Sequence, residues 1–322
     1  MSNHHSILTK TWVVCLLALV SCALWGSAFP CIKAGYTLFS VGGADTASQI
    51  LFAGARFFLA GILTIIFGSI QGRRPLLIRK SAFHKVLILS LFQTILLYTL
   101  FYMSLARTTA INASIIDGTC FFFSILIAAL IFRMEKFTSK KALGCILGFI
   151  GIVLVNLHGS TMQISFGIGD IFMLFSAVSS GLSTACLKIF SGKENPVMLS
   201  GYQFLIGGLI MTVIGFACGG RLHPIAPTAF LLLLYMALIS SVAYTVWGIL
   251  LRHNPVSRIS VFGFMTPVFG VFFSAIFVGE HQNLGLFTIL ALILVCLGIW
   301  IVQKADSNKG ARHLNTLKRE GA

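Results

Sequence analysis

The sequence predicts an all-α integral membrane protein of ten transmembrane helices, built as two inverted halves of five helices each. Three observations carry that expectation. Of the 322 residues, 57% are hydrophobic and only 10% are charged, whereas a soluble globular chain is about 25% charged. The apolar residues fall into ten runs, about 11–34, 46–70, 83–105, 109–132, 142–158, 168–190, 197–218, 227–250, 256–279 and 284–303. The last five runs repeat features of the first five in collinear order. Each run has about the length that a tilted helix needs to cross a bilayer core of roughly 30 Å. A transmembrane β-barrel would instead show alternating segments of about ten residues, and these runs do not alternate.

The loops set the orientation. The net charge is +15, a balance that elsewhere points to nucleic acid. Here 19 of the 23 basic residues sit in the two tails and in loops 71–85, 133–141, 188–196 and 251–258, all on one side of the predicted membrane. The opposite side has Lys33, Arg107 and Arg221, and Arg56 lies inside the second run. That bias places both termini in the cytoplasm, in a multi-pass protein of the cell membrane. No nucleic-acid partner is expected. The eight cysteines lie in or beside apolar runs with no C-x-x-C or Cys/His spacing, so no metal and no cofactor is expected.

Taken in order, residues 1–10 form a cytoplasmic tail. Leu19-Val20-Ser21-Cys22 resembles a lipoprotein cleavage box, but the apolar run continues to Ile32, which reads as an uncleaved first span. The second run carries Arg56 about ten residues in. The third places Ser90, Thr94, Tyr98 and Tyr102 at four-residue steps, one polar-aromatic stripe on a helix. The fourth places Ala110, Ser114, Asp117, Phe121, Ser124 and Ala128 on one face, with a carboxylate among small and polar groups. The fifth runs through Gly151-Ile152. The sixth is rich in hydroxyls, at Ser176, Ser179, Ser180, Ser183 and Thr184. The seventh carries the glycines Gly201, Gly208 and Gly215, and the eighth carries Tyr244 and Trp247. The ninth has a face of Ser260, Gly263, Pro267, Gly270 and Ser274. The tenth ends near Trp300, and residues 304–322 form a basic tail.

The repeat is read from these positions. Gly54, Phe57, Gly61, Gly68 and Gly72 recur 147 residues later as Gly201, Phe204, Gly208, Gly215 and Gly219. Cys31-Ile32-Lys33 recurs as Cys186-Leu187-Lys188, Tyr98-Thr99 as Tyr244-Thr245, and Glu135 aligns with Glu280. Five spans is an odd number, so the second half sits upside down relative to the first. Such inverted repeats are an architecture of secondary transporters, with the site at the midplane between the halves.

Trp25-Gly26-Ser27-Ala28-Phe29, Ala55-Arg56-Phe57, Tyr102-Met103-Ser104-Leu105, Gly169-Asp170, Thr266-Pro267 and Gly279-Glu280 together resemble the EamA-domain transporters of the drug/metabolite transporter (DMT) superfamily. The resemblance covers two EamA repeats, 11–158 (spans one to five) and 168–303 (spans six to ten). It implies a ten-helix carrier working by alternating access, with a central cavity lined by spans one, three, four, six, eight and nine. In one respect the chain departs from the pattern. The second repeat has Pro267, but the first has Phe121 there, preceded by Asp117-Gly118-Thr119. The fourth span then bends at Gly118 or runs straighter.

A carboxylate in an apolar helix is costly against lipid, about 2.5–3.5 kcal/mol on insertion scales. Asp117 is therefore read either as a cavity group that binds a substrate amine or carries a coupling proton, or as a structural carboxylate paired with a neighbour such as Arg107. Tyr98, Tyr102, Thr94, Trp25, Ser114, Ser180, Ser183, Tyr244, Trp247 and Pro267 complete the set of expected cavity-lining residues. Packing or a membrane-interface belt is the competing reading for the aromatics, and close helix approach for the hydroxyls. Lys33, Arg56, Lys188, Glu135 and Glu280 are read as gate contacts or as structural ion pairs, snorkelling groups and caps.

The expected function is secondary transport of a small organic metabolite, an amino acid or related compound, by export across the cell membrane. The partners are the substrate, the bilayer, protons in a coupled mechanism, and a second copy in a homodimer. A channel or a small-molecule sensor without coupled transport is the alternative. An enzyme is not expected, because no GxSxG, HExxH or P-loop pattern occurs.

Overall fold

The computed structural model describes residues 7–105, 107, 110–156, 167–278, 286 and 289–304. Glu280 and the tail beyond Lys304 lie outside the described residues, as do the side chains of Ser114 and Ser274. Among the described residues the regular structure is helical, with no strand.

Helix α1 spans Thr11–Leu38 and α2 spans Thr46–Gln71. Helix α3 starts as Phe83–Leu89, widens into a π-helical turn over Ser90–Leu96 and continues as Leu97–Leu105. Helix α4 is Ala110–Leu126 with a π-helical end, Ile127–Ile131. Then follow α5 (Ser139–Asn156), α6 (Ile168–Ser191), α7 (Pro196–Ala217) and α8 (Thr228–His253). Helix α9 is broken into Val256–Ser260, a 3-10 turn Val261–Phe264, and Met265–Val278. Helix α10 is Ile289–Lys304. Six of these are long and apolar enough to cross a membrane by themselves, and shorter apolar helices supply the rest. The ten predicted runs thus correspond to ten helices in a multi-pass membrane protein.

The outside of the bundle is apolar. Trp12, Ile70, Phe175, Phe216, Leu231 and Trp300 are all more than half exposed. Polar side chains such as Ser90, Thr94, Ser176, Gln203 and Ser240 are buried. With no water in the bilayer core, backbone groups must be satisfied within helices and polar side chains by other protein groups.

Helices α2 and α7 form the seam between the halves. A Cβ on Gly61 would overlap the backbone of Leu205, and one on Gly208 would overlap the backbone of Phe58. Gly61 and Gly208 are repeat counterparts, and so are Phe58 and Leu205. The seam therefore maps onto itself when the halves are exchanged, as an in-plane pseudo-two-fold requires. Small residues allow this approach where no water drives helices together.

The halves also interlock. Helix α1 packs on α8 and α9, while its counterpart α6 packs on α3 and α4. Gly26 of α1 meets Phe269 of α9, with 2.6 Å left for an added Cβ; Gly181 of α6 meets Phe123 of α4, with 2.9 Å. Helix α4 passes through Gly118 without interruption. Gly118 makes room for Ile152 of α5, so this glycine serves packing and not a bend. The break falls instead in α9, just before Pro267. A proline lacks the N–H that an interior helical position donates and is tolerated in a first turn.

Candidate functional site

A cavity of about 150 Å³ lies between the halves. Helix α1 contributes Trp25, Ala28 and Ile32, and α2 contributes Arg56. From α3 come Gln93, Leu97, Tyr98, Phe101 and Tyr102, and from α4 come Asp117, Cys120, Phe121 and Ser124. Ser180 and Thr184 of α6, Tyr244 and Trp247 of α8, and Ser260 and Thr266 of α9 complete the wall.

Its floor is aromatic. The Tyr98 and Tyr244 hydroxyls are 2.8 Å apart and hydrogen bonded. Tyr244 lies edge-on to Trp25 at 5.0 Å between ring centroids, and Trp25 lies edge-on to Trp247 at 4.9 Å. Phe57 packs on Tyr98 at 4.3 Å, and Phe204, its repeat counterpart, lies edge-on to Tyr244 at 4.9 Å. Such edge-to-face pairs fix ring orientation and add about 0.5–1.5 kcal/mol beyond buried area.

Polar groups are placed among the rings. Asp117 has no hydrogen-bond or ion-pair partner among the described residues. Arg107 is not its partner: its Nη1 donates to the Met103 carbonyl at 2.8 Å, and its guanidinium sits 5.7 Å from the Phe172 ring. The Trp25 Nε1 and the Ser260 Oγ are buried without a partner among the described residues. A buried polar group left unpaired costs about 1–3 kcal/mol. A cavity presenting such groups suits water or a polar ligand. No group of three or more His, Cys, Asp or Glu side chains fit to hold a metal occurs among the described residues.

The wall draws on α1, α3, α4, α6, α8 and α9, with Arg56 from α2. The model of the EamA-like transporter family matches residues 12–157 and again 167–303.

The chain belongs to the EamA-like transporter family.

Similar proteins are named as transporters. The uncharacterized transporter YvbV of Bacillus subtilis (strain 168) is 26% identical over 312 residues, covering 94% of this chain and 96% of the relative. An uncharacterized transporter of Archaeoglobus fulgidus is 27% identical over 304 residues, covering 91% and 98%. A crystal structure of a protein of 14% identity superposes with a TM-score of 0.71, covering 94% of this chain and 98% of the other. That likeness concerns the fold alone. The EamA membership makes this chain a membrane transporter.

Within this EamA cavity the structure brings together Asp117, Tyr98, Tyr102, Trp25, Ser180, Tyr244 and Trp247. Three expected lining residues lie elsewhere. Thr94 is fully buried and donates to Gln203 Oε1 of α7 at 2.7 Å. The π turn accounts for this, because a wider turn realigns four-residue steps: Ser90 and Thr94 face α7, while Tyr98 and Tyr102 face the cavity. Ser183 turns back to the Ser180 carbonyl at 2.8 Å. Pro267 lies in the first turn of the second part of α9, and its neighbour Thr266 faces the cavity in its place.

The expected gate residues divide. Lys188 donates to the carbonyls of Leu251 (2.6 Å) and Asn254 (2.9 Å), closing the C-terminal end of α8. Glu135 pairs with Lys141 at 2.7 Å and accepts from the Ser257 N–H at 2.9 Å and the Ser257 hydroxyl at 2.7 Å. Lys33 is exposed near the end of α1. Arg56 joins the cavity wall instead of an ion pair.

Sequence reasoning missed Gln93, Phe101, Cys120 and Thr266. Gln93 sits in the π turn, whose register no α-helical period reveals. Ser176 and Ser179 belong to the same device. They donate to the Leu97 and Phe92 carbonyls at 2.8 and 2.7 Å, satisfying acceptors around the widened turn.

Proposed function

We propose that this EamA-family protein exports an amino acid or a related small metabolite across the cell membrane, as a secondary transporter with both termini in the cytoplasm. The observation that carries the reading is Asp117, a carboxylate without a partner among the described residues, in a cavity floored by tyrosine and tryptophan rings. An ammonium group on a substrate supplies the charge that Asp117 lacks, and the rings receive the substrate's apolar part. The volume of about 150 Å³ is below the roughly 300–1,000 Å³ of drug-sized pockets, which favours a small metabolite.

The two repeats, 11–158 and 168–303, move as units in this reading, exposing the cavity to one side and then the other. The basic loops mark the cytoplasmic face. There Glu135 of the first repeat holds Ser257 of the second, and this contact opens and closes in each cycle. Protons are the coupling ion, carried by Asp117 when the substrate leaves. A homodimer is compatible with the apolar outer surface.

The test is export from proteoliposomes loaded with a mixture of the standard L-amino acids, with and without an imposed pH gradient, read by mass spectrometry. The expected result is saturable efflux of one or a few amino acids, with counterflow. Flux that neither saturates nor shows counterflow assigns a channel, and no flux of any amino acid ends this reading.

A further inference from the structure

The cavity holds a second charged group, Arg56. It is 3% exposed. Its Nε and Nη2 donate to the Ser240 hydroxyl at 3.2 and 2.9 Å, and its Nε also faces the Met236 carbonyl at 3.3 Å. The guanidinium lies 5.0 Å from the centre of the Phe57 ring. Its Nη1 has no partner among the described residues, and no carboxylate there pairs with it. A guanidinium carries five N–H donors and cannot be neutralised by losing a proton. A buried cation of this kind calls for an anion.

The same cavity contains Asp117, also unpaired. Two opposite charges in one low-dielectric space attract each other strongly. No ion pair joins the two among the described residues. Arg56 is anchored from α2 onto α8 through Ser240 and Met236, and Asp117 is fixed on α4. A ligand carrying one charge only would meet one favourable and one unfavourable pole. A ligand carrying both would satisfy both.

We infer that Arg56 is the anion-binding pole of the cavity and sets its specificity, so that the transported ligand is a small zwitterion with a carboxylate on Arg56 and an ammonium group on Asp117. This rests on the reading of the cavity as the transport site. Gln203, the repeat counterpart of Arg56, is uncharged and spends its Oε1 on Thr94 of α3. The anion pole therefore exists in one half only, and the site has a direction that the pseudo-two-fold does not impose. A planar guanidinium receives a carboxylate through two parallel hydrogen bonds, a geometry lysine does not reproduce.

The experiment is competition in proteoliposomes. Efflux of the amino acid moved by the wild-type protein is measured against equal concentrations of that amino acid, its decarboxylated amine and its deaminated acid. The wild-type protein is expected to favour the zwitterion over both analogues by about tenfold or more, a discrimination that comes from unpaired charge. Arg56→Gln is expected to bring the amine to within about twofold of the amino acid while the acid stays excluded, and Arg56→Lys to restore part of the preference. A wild-type protein that takes the amine as readily as the amino acid overturns the inference without any variant. So does an Arg56→Gln protein that keeps the wild-type preference. If the wild-type protein moves no amino acid at all, the transport reading fails first, and this inference with it.

Discussion

Tyr98 and Tyr244 occupy equivalent places in the two repeats, and their hydroxyls meet at 2.8 Å across the pseudo-two-fold. The bond ties α3 of one half to α8 of the other in the wall of the cavity. Behind it the equivalence persists, with Phe57 against Tyr98 and Phe204 against Tyr244. Phe57 and Phe204 in turn stack on each other at 5.3 Å. The internal symmetry of the chain thus converges on a hydrogen bond between two like side chains.

That bond gives a first prediction. Removing one hydroxyl takes away the other's described partner, whereas removing both leaves neither hydroxyl behind. Leaving a buried group unsatisfied costs about 1–3 kcal/mol, while replacing both partners by apolar groups is nearly neutral. Tyr98→Phe and Tyr244→Phe are each expected to lower the melting temperature in detergent. The double variant is expected to be no less stable than the weaker single one. Additive losses would show that each hydroxyl is satisfied separately by water.

Asp117→Asn tests the cavity carboxylate. Because Asp117 has no partner among the described residues, the substitution breaks no contact, and thermal stability is expected to stay within about 0.5 kcal/mol of wild type. Transport is expected to fall by at least about tenfold, as loss of a charge-assisted contact implies, and its dependence on an imposed pH gradient to disappear. Wild-type flux with unchanged pH dependence would remove Asp117 from the mechanism.

Much of this was legible in the sequence, and the misreadings have physical causes. The ten runs and the repeat survive because a lipid-facing helix and a close-packed glycine leave marks that do not depend on distant partners. Helical spacing and the repeat point to Tyr98 and Tyr244, a carboxylate in an apolar helix points to Asp117, and residue type alone points to Trp25 and Trp247; all five line the cavity. Thr94 was misplaced because the α-helical period was carried through a π turn. Arg56 reads from the sequence as snorkelling or as pairing one helix with another, and it does tie α2 to α8, but the groups it bonds, Met236 and Ser240, lie some 180 residues away, beyond the reach of any helical period. That no carboxylate among the described residues pairs with it is a fact of tertiary structure alone.

The α2–α7 seam makes a steric prediction. A Cβ at Gly208 would overlap the Phe58 backbone, and the obstructing atoms are main chain, which cannot swing aside. Gly208→Val and Gly61→Val are expected to abolish recovery of monodisperse protein. Gly219, where an added Cβ meets nothing within 4 Å and φ is +89°, gives a contrasting case. There Gly219→Ala is expected to cost only the strain of a left-handed residue, about 1–2 kcal/mol. Normal size-exclusion profiles for both valine variants would contradict the packing described.

Asp45 supplies a pH dependence outside the membrane. It caps α2, accepting from the Ser48 N–H at 3.0 Å. Hydrogen bonds from Ser48, its hydroxyl and then its N–H, hold the Asp45 carboxyl below its ordinary value. A carboxyl depressed in the folded state stabilises fully above its unfolded pKa of about 3.9 and loses that contribution as pH falls through the folded value. Asp45→Ala is expected to lower stability at neutral pH by about 0.5–2 kcal/mol, the range for a lost cap. The gap between variant and wild type is expected to close in acid. A gap that stays constant from neutral pH to below pH 3 would mean that the charge on Asp45 adds nothing to its cap.

Glu135 carries the sharpest consequence for the cytoplasmic closure proposed above. It holds Lys141 of its own repeat and both the N–H and hydroxyl of Ser257 in the other. Lys141 is 1% exposed, so a variant without the carboxylate takes a charged partner away from a buried ammonium. Breaking such a pair from one side costs about 3–5 kcal/mol, whereas replacing both members by apolar residues is often neutral. Glu135→Ala is expected to lower the melting temperature sharply, and Glu135→Leu combined with Lys141→Met to recover much of the loss. Glu135→Gln keeps an acceptor for Ser257 and is expected to fall between them. The double variant separates stability from gating: it restores folding energy but not the grip on Ser257. If that grip closes the cytoplasmic end, a cysteine placed at Ser124 in the cavity wall reacts faster with a thiol reagent applied from that side in the double variant than in an otherwise wild-type background. Equal reactivity in the two backgrounds, with stability recovered, would leave Glu135 as a structural pairing alone.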